Sequence, residues 1–417
     1  MPVPTAPPAR IVIVGGSVAG ARTAQALRSD GFSGELIVIE PEAGEAYDRP
    51  PLSKEYLTGS WSRTQLNLIP GGWAAVDATV IRACASGLDV QEHQVRLSDG
   101  QAIRYDALVI ATGLSPRRLV ADDGESIGHV IGTASDADAV REQLREGRHV
   151  VAVGGGFIAT ETASVARELG LTVTIIDRRS TLLERSLGTV VGAHIAATHR
   201  EHGVDVRTDA RIGSIRRDGS GALITLENGE QIQADVLVAG IGSEPNTAWL
   251  HGSGIRIDAG VITDARCRAF GAAGVYALGD VAHFYDVHSA KPRRVGHWTN
   301  AADQASVVAH NLLHPENPVG YREAPYFWSD QFGEKIQVAG HPDPDAHVDL
   351  LTLDGPAPRR VAIYTHGDDD GCGAVVTFGW PRGMVAARRL MPLEPTTAEM
   401  LVELEKLAAG ARLASVG

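Results

Sequence analysis

The sequence predicts an α/β protein: two parallel-sheet units, the second inserted into the first, followed by a small α+β domain at the C-terminus. Three observations carry the prediction. A glycine-rich turn between a β-branched run and a helical stretch occurs twice, at Ile11–Gly20 and Val150–Glu161. Each turn is followed by a second apolar run that closes on a carboxylate, Glu40 after Leu36–Ile39 and Asp177 after Val173–Ile176. From about residue 325 onward the pattern changes to separated strands and two closing helices.

Taken in order, the chain begins with the proline-rich stretch Met1–Arg10, which reads as a disordered tail and not as a signal peptide, because it has no apolar core. The run at Ile11 reads as a buried parallel strand, and Val18–Arg28 has helical periodicity. Strands follow at Leu36–Glu40 and Tyr105–Ala111, then a helix at Ser135–Glu146. The second unit holds a strand at His149–Val153, a helix at Phe157–Leu169 and a strand at Thr172–Asp177. Further strands are expected at Val204–Arg207, Ala222–Glu227 and Val236–Ile241. A turn at Ser243–Asn246 and the run Gly274–Asp280 return the chain to the first unit. The terminal domain is expected to have strands at Lys335–Val338, Asp349–Leu353, Arg360–Tyr364 and Ala374–Phe378. Its last helix, Thr397–Ala408, starts behind Pro395 with Thr396 and Glu399 at capping-box spacing. The resulting domains are 1–117 with 245–324, 118–244, and 325–417.

Each glycine-rich turn matches a dinucleotide-binding (Rossmann-like) fingerprint, in which helix N-terminal amides balance a pyrophosphate and the distal carboxylate accepts the ribose hydroxyls. In the first turn Gly15 and Gly20 hold the outer positions, and Ser17 stands where the middle glycine belongs. Its hydroxymethyl narrows the approach of phosphate and supplies a hydrogen-bond donor. In the second, Gly154 and Gly156 are in place, Phe157 and Ile158 open the helix, and Ala159 takes the third position. Two complete units imply two nucleotides in one molecule, with electrons passing between them. Asp177 favours NADH over NADPH: a 2′-phosphate beside it would be repelled by about 4 kcal/mol at close range. Arg178 and Arg179 leave NADPH open, since either side chain is long enough to reach that phosphate.

A formal charge of −13 argues against nonspecific nucleic-acid binding. No apolar run reaches the roughly 18 residues of a membrane span, and a cytoplasmic protein is expected. The three cysteines, Cys84, Cys267 and Cys372, form no C-x-x-C or metal-ligand spacing, and no metal site is expected. The histidines His283, His297 and His310 likewise show no ligand spacing.

With both turns, the ATG at Ala111, Thr112 and Gly113, and the GD at Gly279–Asp280, the chain resembles the two-dinucleotide-domain flavoproteins of the glutathione-reductase structural class, in which the NAD domain is inserted into the FAD domain. Three more stretches narrow the resemblance: YDRPPLSKEYL at Tyr47–Leu57, HWTNAADQA at His297–Ala305, and PYFWSDQFGEKIQVAG at Pro325–Gly340. They are similar to the ferredoxin reductases of bacterial oxygenase systems, over nearly the whole chain past Arg10. The resemblance implies an FAD enzyme that moves electrons from NADH to a [2Fe–2S] ferredoxin serving a cytochrome P450 or a Rieske oxygenase.

It assigns Gly15, Ser17, Gly20 and Glu40 to the adenosine diphosphate half of FAD, Ala111–Gly113 to the same cofactor, and Asp280 to the ribityl chain. Arg49, Pro50 and Lys54 would line the flavin, with Lys54 near its N5 and paired with Glu161. Gly154, Gly156, Phe157, Ile158 and Asp177 would hold NADH, with Glu161 helping to seat the nicotinamide. Trp328 would sit against the isoalloxazine, and Trp298 near the nicotinamide side or the route outward. Where the family usually carries a glutamate shortly before the second of these motif tryptophans, at HW, this chain has Gly296; altered cofactor affinity or potential is expected. The absence of a cysteine beside either turn implies that electrons leave the flavin directly, not through a disulfide. Three arginine pairs, Arg293–Arg294, Arg359–Arg360 and Arg388–Arg389, are candidates for docking an acidic ferredoxin. Rival readings keep the fold but take rubredoxin, a small quinone or an organic radical as acceptor, or make the chain a flavin-bearing redox sensor.

Overall fold

The computed structural model describes residues 7–286, 291–322, 325–367 and 370–410. The first six residues of the stretch read as a tail lie outside the described residues. The chain divides into two compact units: Met1–Arg49, Ser62–Ser115 and Ser243–Glu323 form one, and Pro50–Trp61, Pro116–Gly242 and Ala324–Gly417 the other.

The first unit is built on a five-stranded parallel sheet in the order Val275–Ala277, Ala107–Ile110, Arg10–Val14, Glu35–Ile39, Ala78–Ile81. Its central strands are β-branched on both faces because both faces are covered. Ile11, Ile13, Leu36 and Val38 pack on one side with the helices Val18–Ser29 and Trp298–Leu313. Val12, Val14, Ile37 and Ile39 pack on the other, joined by Leu88, Val95 and Leu97 of a three-stranded antiparallel layer, Ala85–Asp89, Gln94–Leu97 and Ala102–Arg104. Each such side chain contributes roughly 1.5–3 kcal/mol on burial. The edge strand Ala78–Ile81 and this antiparallel layer were not read from the sequence, which there alternates weakly. The strand expected at Tyr105–Ala111 is the shorter Ala107–Ile110.

In the second unit a four-stranded parallel sheet runs Asp205–Arg207, Thr172–Ile176, His149–Val153, Val236–Ala239. A three-stranded antiparallel sheet, Ile212–Asp218, Gly221–Leu226 and Gln231–Ala234, covers part of its core. The same unit holds a five-stranded antiparallel sheet ordered Tyr326–Gln331, Glu334–Gly340, Gly371–Phe378, Arg359–His366, His347–Leu353. Helices Pro381–Leu390 and Thr397–Ala408 pack on it through Ala386, Ala387, Met400 and Leu404. The last helix starts where its capping box places it: Thr396 accepts from the Glu399 amide, and Glu399 accepts from the Thr396 amide. The first strand of this sheet, Tyr326–Gln331, lay within a stretch recognised only as a motif.

Candidate cofactor sites

In the first unit the Gly-turn is shaped by two close approaches. Gly15 has φ +106°, and a Cβ there would overlap the Ala111 carbonyl; a side chain at Gly20 would overlap the Gly15 carbonyl. Glycine is therefore required for the strand end to turn into the helix Val18–Ser29. Glu40 reaches back from the next strand, its Oε2 accepting from the Gly16 amide at 2.6 Å and its Oε1 from the Glu42 amide at 2.9 Å.

Ser17 caps the helix with extended backbone, and its Oγ accepts from Arg49 Nε at 2.9 Å. The serine proton thus remains available to an oxygen acceptor. Arg49 is held by Glu42 at 2.6 Å. Ala111–Gly113 is clipped by Asn246, whose side-chain nitrogen donates to the Thr112 carbonyl and whose own carbonyl accepts from the Thr112 hydroxyl, both at 2.8 Å.

The Gly279–Asp280 loop is held by Gln304 of the helix Trp298–Leu313: the Gly279 amide donates to Gln304 Oε1 at 2.8 Å. The Gln304 side-chain nitrogen is buried without a partner among the described residues. Asp280 makes no hydrogen bond among them, and enclosure pushes its carboxyl up to about 6 against the pull of Arg294 and Arg49. Gly296 faces this carboxyl, since a Cβ there would lie 3.7 Å from Asp280 Oδ2. Trp298 opens its helix with Nε1 donating to Asp48 Oδ1 at 2.8 Å and the Arg22 guanidinium 5.3 Å from its ring centre.

The second unit repeats the first turn's geometry. Gly154 has φ +105°, and a Cβ there would overlap the Gly240 carbonyl. Asp177 Oδ2 accepts from the Gly155 amide, as Glu40 does from Gly16, and Oδ1 accepts from the Arg179 amide at 2.7 Å. The Arg179 guanidinium is drawn to Glu184 at 3.4 Å, and Arg178 is exposed. Gly156, Phe157 and Ile158 form the start of the helix Phe157–Glu168, and Phe157 meets Phe327 edge-on at 5.5 Å.

One turn further along this helix Glu161 is buried, 3% exposed. Its Oε2 lies 2.7 Å from Lys54 Nζ and accepts from the Ser53 hydroxyl, and its Oε1 accepts from Ser329 Oγ at 2.6 Å. Lys54 also donates to the Pro50 carbonyl at 3.0 Å. A lysine of ordinary surface character is excluded, because Lys54 is only 9% exposed. Three residues before Gln331 and one before Ser329, Trp328 is half-buried, with Lys335 Nζ 5.6 Å from its ring centre and Tyr326 at 5.8 Å.

Sequence reading missed Ser53, Ser329, Gln331 and Gln304, although each lies inside a recognised motif, and it took Asn246 for a turn residue only. Of the arginine pairs, Arg388 stacks on the Tyr326 ring at 4.2 Å, Arg360 contacts His194 at 3.1 Å, and Arg294 acts on Asp280.

The pyridine nucleotide-disulphide oxidoreductase family matches residues 9–305, and a reductase C-terminal family matches 326–402. The chain belongs to the pyridine nucleotide-disulphide oxidoreductase family. It is 34% identical over 384 residues to the ferredoxin–NAD(+) reductase component of the anthranilate 1,2-dioxygenase system of Burkholderia cepacia, covering 91% of this chain and 93% of that one. Rhodocoxin reductase of Rhodococcus erythropolis is 33% identical over 402 residues, covering 95% and 92%. Among solved structures, the covalent putidaredoxin reductase–putidaredoxin complex aligns with a TM-score of 0.86 at 28% identity, over 96% of this chain and 98% of that chain.

Family membership implies FAD and NAD(H). The residues of this oxidoreductase fit both groups. Each Gly-turn presents helix N-terminal amides, held in place by close backbone approaches that a side chain at Gly15, Gly20 or Gly154 would break. The first unit adds an orphaned buried donor on Gln304 beside the Asp280 loop. Among the described residues no helix is long and apolar enough to cross a membrane, and no cluster of three ligating side chains is present.

Proposed function

We propose that the chain is an FAD-dependent NADH:ferredoxin reductase, taking electrons from NADH and delivering them to a [2Fe–2S] ferredoxin that serves a cytochrome P450 or Rieske-type oxygenase. The observation that carries this reading is the pairing of two nucleotide turns, each with its own carboxylate, in a chain matched over more than nine-tenths of its length by ferredoxin reductases. FAD, when bound, accepts a hydride and releases electrons singly.

In this reading residues 1–117 and 245–324 carry FAD, 118–244 carry NADH, and 325–417 form the third domain. The amides at Gly15–Gly20 and the Ser17 proton would offset the pyrophosphate charge, and Glu40 would take the ribose hydroxyls. Ala111–Gly113 would line the same cofactor, and Asp280 would hold the ribityl chain. Arg49, Pro50 and Lys54 are assigned to the flavin. Gly154, Gly156, Phe157 and Ile158 seat the second pyrophosphate, and Asp177 the adenosine ribose. Glu161 would orient Lys54 and help seat the nicotinamide, Trp328 would sit against the isoalloxazine, and Trp298 near the nicotinamide side or the route outward.

Asp177 supports NADH over NADPH: its carboxylate is fixed by two backbone amides, and Arg179 is turned toward Glu184. Direct exit of electrons from the flavin is supported by the thiols. Burial pushes the Cys372 thiol up to about 11 and the Cys267 thiol higher still, so neither is a thiolate at neutral pH. The three free cysteines also support a cytoplasmic protein.

The test is anaerobic stopped-flow of the yellow holoenzyme with NADH, followed by mixing with a [2Fe–2S] ferredoxin or a small quinone. Fast bleaching and fast ferredoxin reduction are expected. Reoxidation by the quinone alone would move the acceptor to a small molecule, and slow bleaching would make the chain a redox sensor.

A further inference from the structure

Glu161 is the end of a buried hydrogen-bond chain whose other end is a histidine on a different helix. His199, on the helix Glu184–Glu201, is fully buried, and its Nε2 lies 2.9 Å from Gln331 Oε1. Gln331 Nε2 donates to Ser329 Oγ at 2.9 Å and to Thr160 Oγ1 at 3.0 Å. Ser329 Oγ lies 2.6 Å from Glu161 Oε1.

The direction of every proton in this chain follows from counting donors. The Thr160 hydroxyl donates back to the Phe157 carbonyl at 3.0 Å, so toward Gln331 it only accepts. That fixes the amide nitrogen of Gln331 on the Thr160 and Ser329 side and leaves its oxygen facing His199. His199 therefore carries its proton on Nε2. Burial holds its pKa down to about 4, and its Nδ1 is enclosed without a partner among the described residues, where a second proton would be unsatisfied. With Ser329 Oγ already accepting from Gln331, its own proton goes to Glu161. Every bond thus points one way, from His199 to the carboxylate.

Two contacts lock the hairpin that carries Gln331. Phe332, in left-handed backbone at φ +50°, donates its amide to Ser164 Oγ at 2.7 Å and stacks flat on His202 at 4.0 Å. Its ring also meets His199 edge-on at 4.8 Å. An apolar filling of the same space would leave the Glu161 rotamer to its nearest neighbours alone; the polar chain specifies it.

We propose that His199 and Gln331 are positioning residues for Glu161, with the His199 Nε2 proton fixing the Gln331 amide and thereby directing the Ser329 hydroxyl onto the carboxylate that pairs with Lys54. The inference rests on the assignment of Glu161 to the NADH half-reaction.

The test is the rate of flavin reduction by NADH in the FAD holoenzyme for His199→Leu, His199→Gln, Ser329→Ala, Glu161→Gln and the double variant His199→Leu with Glu161→Gln. Loss of one hydrogen bond to a charged group corresponds to about tenfold in rate. His199→Leu and Ser329→Ala are each expected to slow reduction by about that factor, while His199→Gln, which restores an amide donor, recovers most of the rate. The double variant is expected to be no slower than Glu161→Gln alone, a non-additivity that a purely structural role would not produce. If Glu161→Gln slows reduction but Ser329→Ala and His199→Leu do not, the positioning role is wrong and the function stands. If Glu161→Gln itself leaves the rate unchanged, the assignment of Glu161 falls, and the positioning role with it. Should His199→Leu fail to fold, Ser329→Ala alone and combined with Glu161→Gln decides the question.

Discussion

Lys54 and Glu161 form an ion pair at 2.7 Å with side chains 10% and 4% exposed, although 108 residues separate Glu161 from the neighbouring serine that shares it. A pair this enclosed is held by geometry and not by salt-screened attraction. Glu161→Gln leaves the ammonium without its counter-charge, and the expected loss is about 3 kcal/mol of stability. Replacing both partners, Lys54→Met with Glu161→Leu, is expected to restore much of it. Denaturant unfolding of the three proteins checks this.

The two glycines at the turn entrances separate the two nucleotides. Gly15→Ala forces a left-handed position and drives a Cβ into the Ala111 carbonyl, so a protein with little bound flavin is expected. Gly154→Ala is expected to stay yellow while NADH binds roughly ten- to hundredfold more weakly. Flavin absorbance and NADH titration distinguish them; equal effects on both nucleotides from either variant would contradict the assignment.

Asp177 is predicted to select the unphosphorylated ribose. Asp177→Asn removes a charged acceptor worth about 1.5–3 kcal/mol, so kcat/KM for NADH is expected to drop about tenfold or more. The ratio for NADPH over NADH should rise, because the exposed Arg178 then acts without an opposing carboxylate. Steady-state rates with both nucleotides measure it.

Arg388 lies exposed over the Tyr326 ring, which leaves its charge open to an acidic partner. Arg388→Glu is expected to lower ferredoxin turnover several-fold at low salt, with NADH oxidation by a small artificial acceptor unchanged. The difference should shrink as salt is raised.

His199 ties stability to pH. Its pKa is depressed by burial from 6.5 to about 4, with His202 adding to the shift. Between these values the unfolded chain binds a proton that the folded chain refuses, so stability is full above about 6.5 and declines as pH falls toward 4. The decline attributable to His199 is on the order of 3 kcal/mol. The wild-type protein is therefore expected to lose more stability over this range than His199→Leu does, as thermal melts at several pH values will read.

Legibility in the sequence followed locality. Both Gly-turns, their strands and their distal carboxylates could be read because each signal lies within one short stretch: a β-branched run, glycines at fixed offsets, an acid at the next strand end. The capping box at Thr396 and Glu399 was readable for the same reason. The antiparallel layer Ala85–Arg104 was not, since its strands are short and half-exposed. Gln304 stood in plain view within a recognised motif, yet nothing in the sequence says that its oxygen holds the Gly279 amide.

The sequence by itself determined two nucleotide turns, the buried strands that present them and the acids that complete them, because these depend on backbone conformation and periodicity among near neighbours. Beyond the Lys54 pairing that the resemblance implied, only the tertiary structure decided which side chains surround Glu161 and how His199 reaches it. Ser53 with Lys54, Ser329 with Gln331, and His199 come from three separate segments of the chain. A hydrogen-bond network among distant segments has no period and no fixed spacing, and exists only once packing has brought its donors and acceptors within about 3 Å.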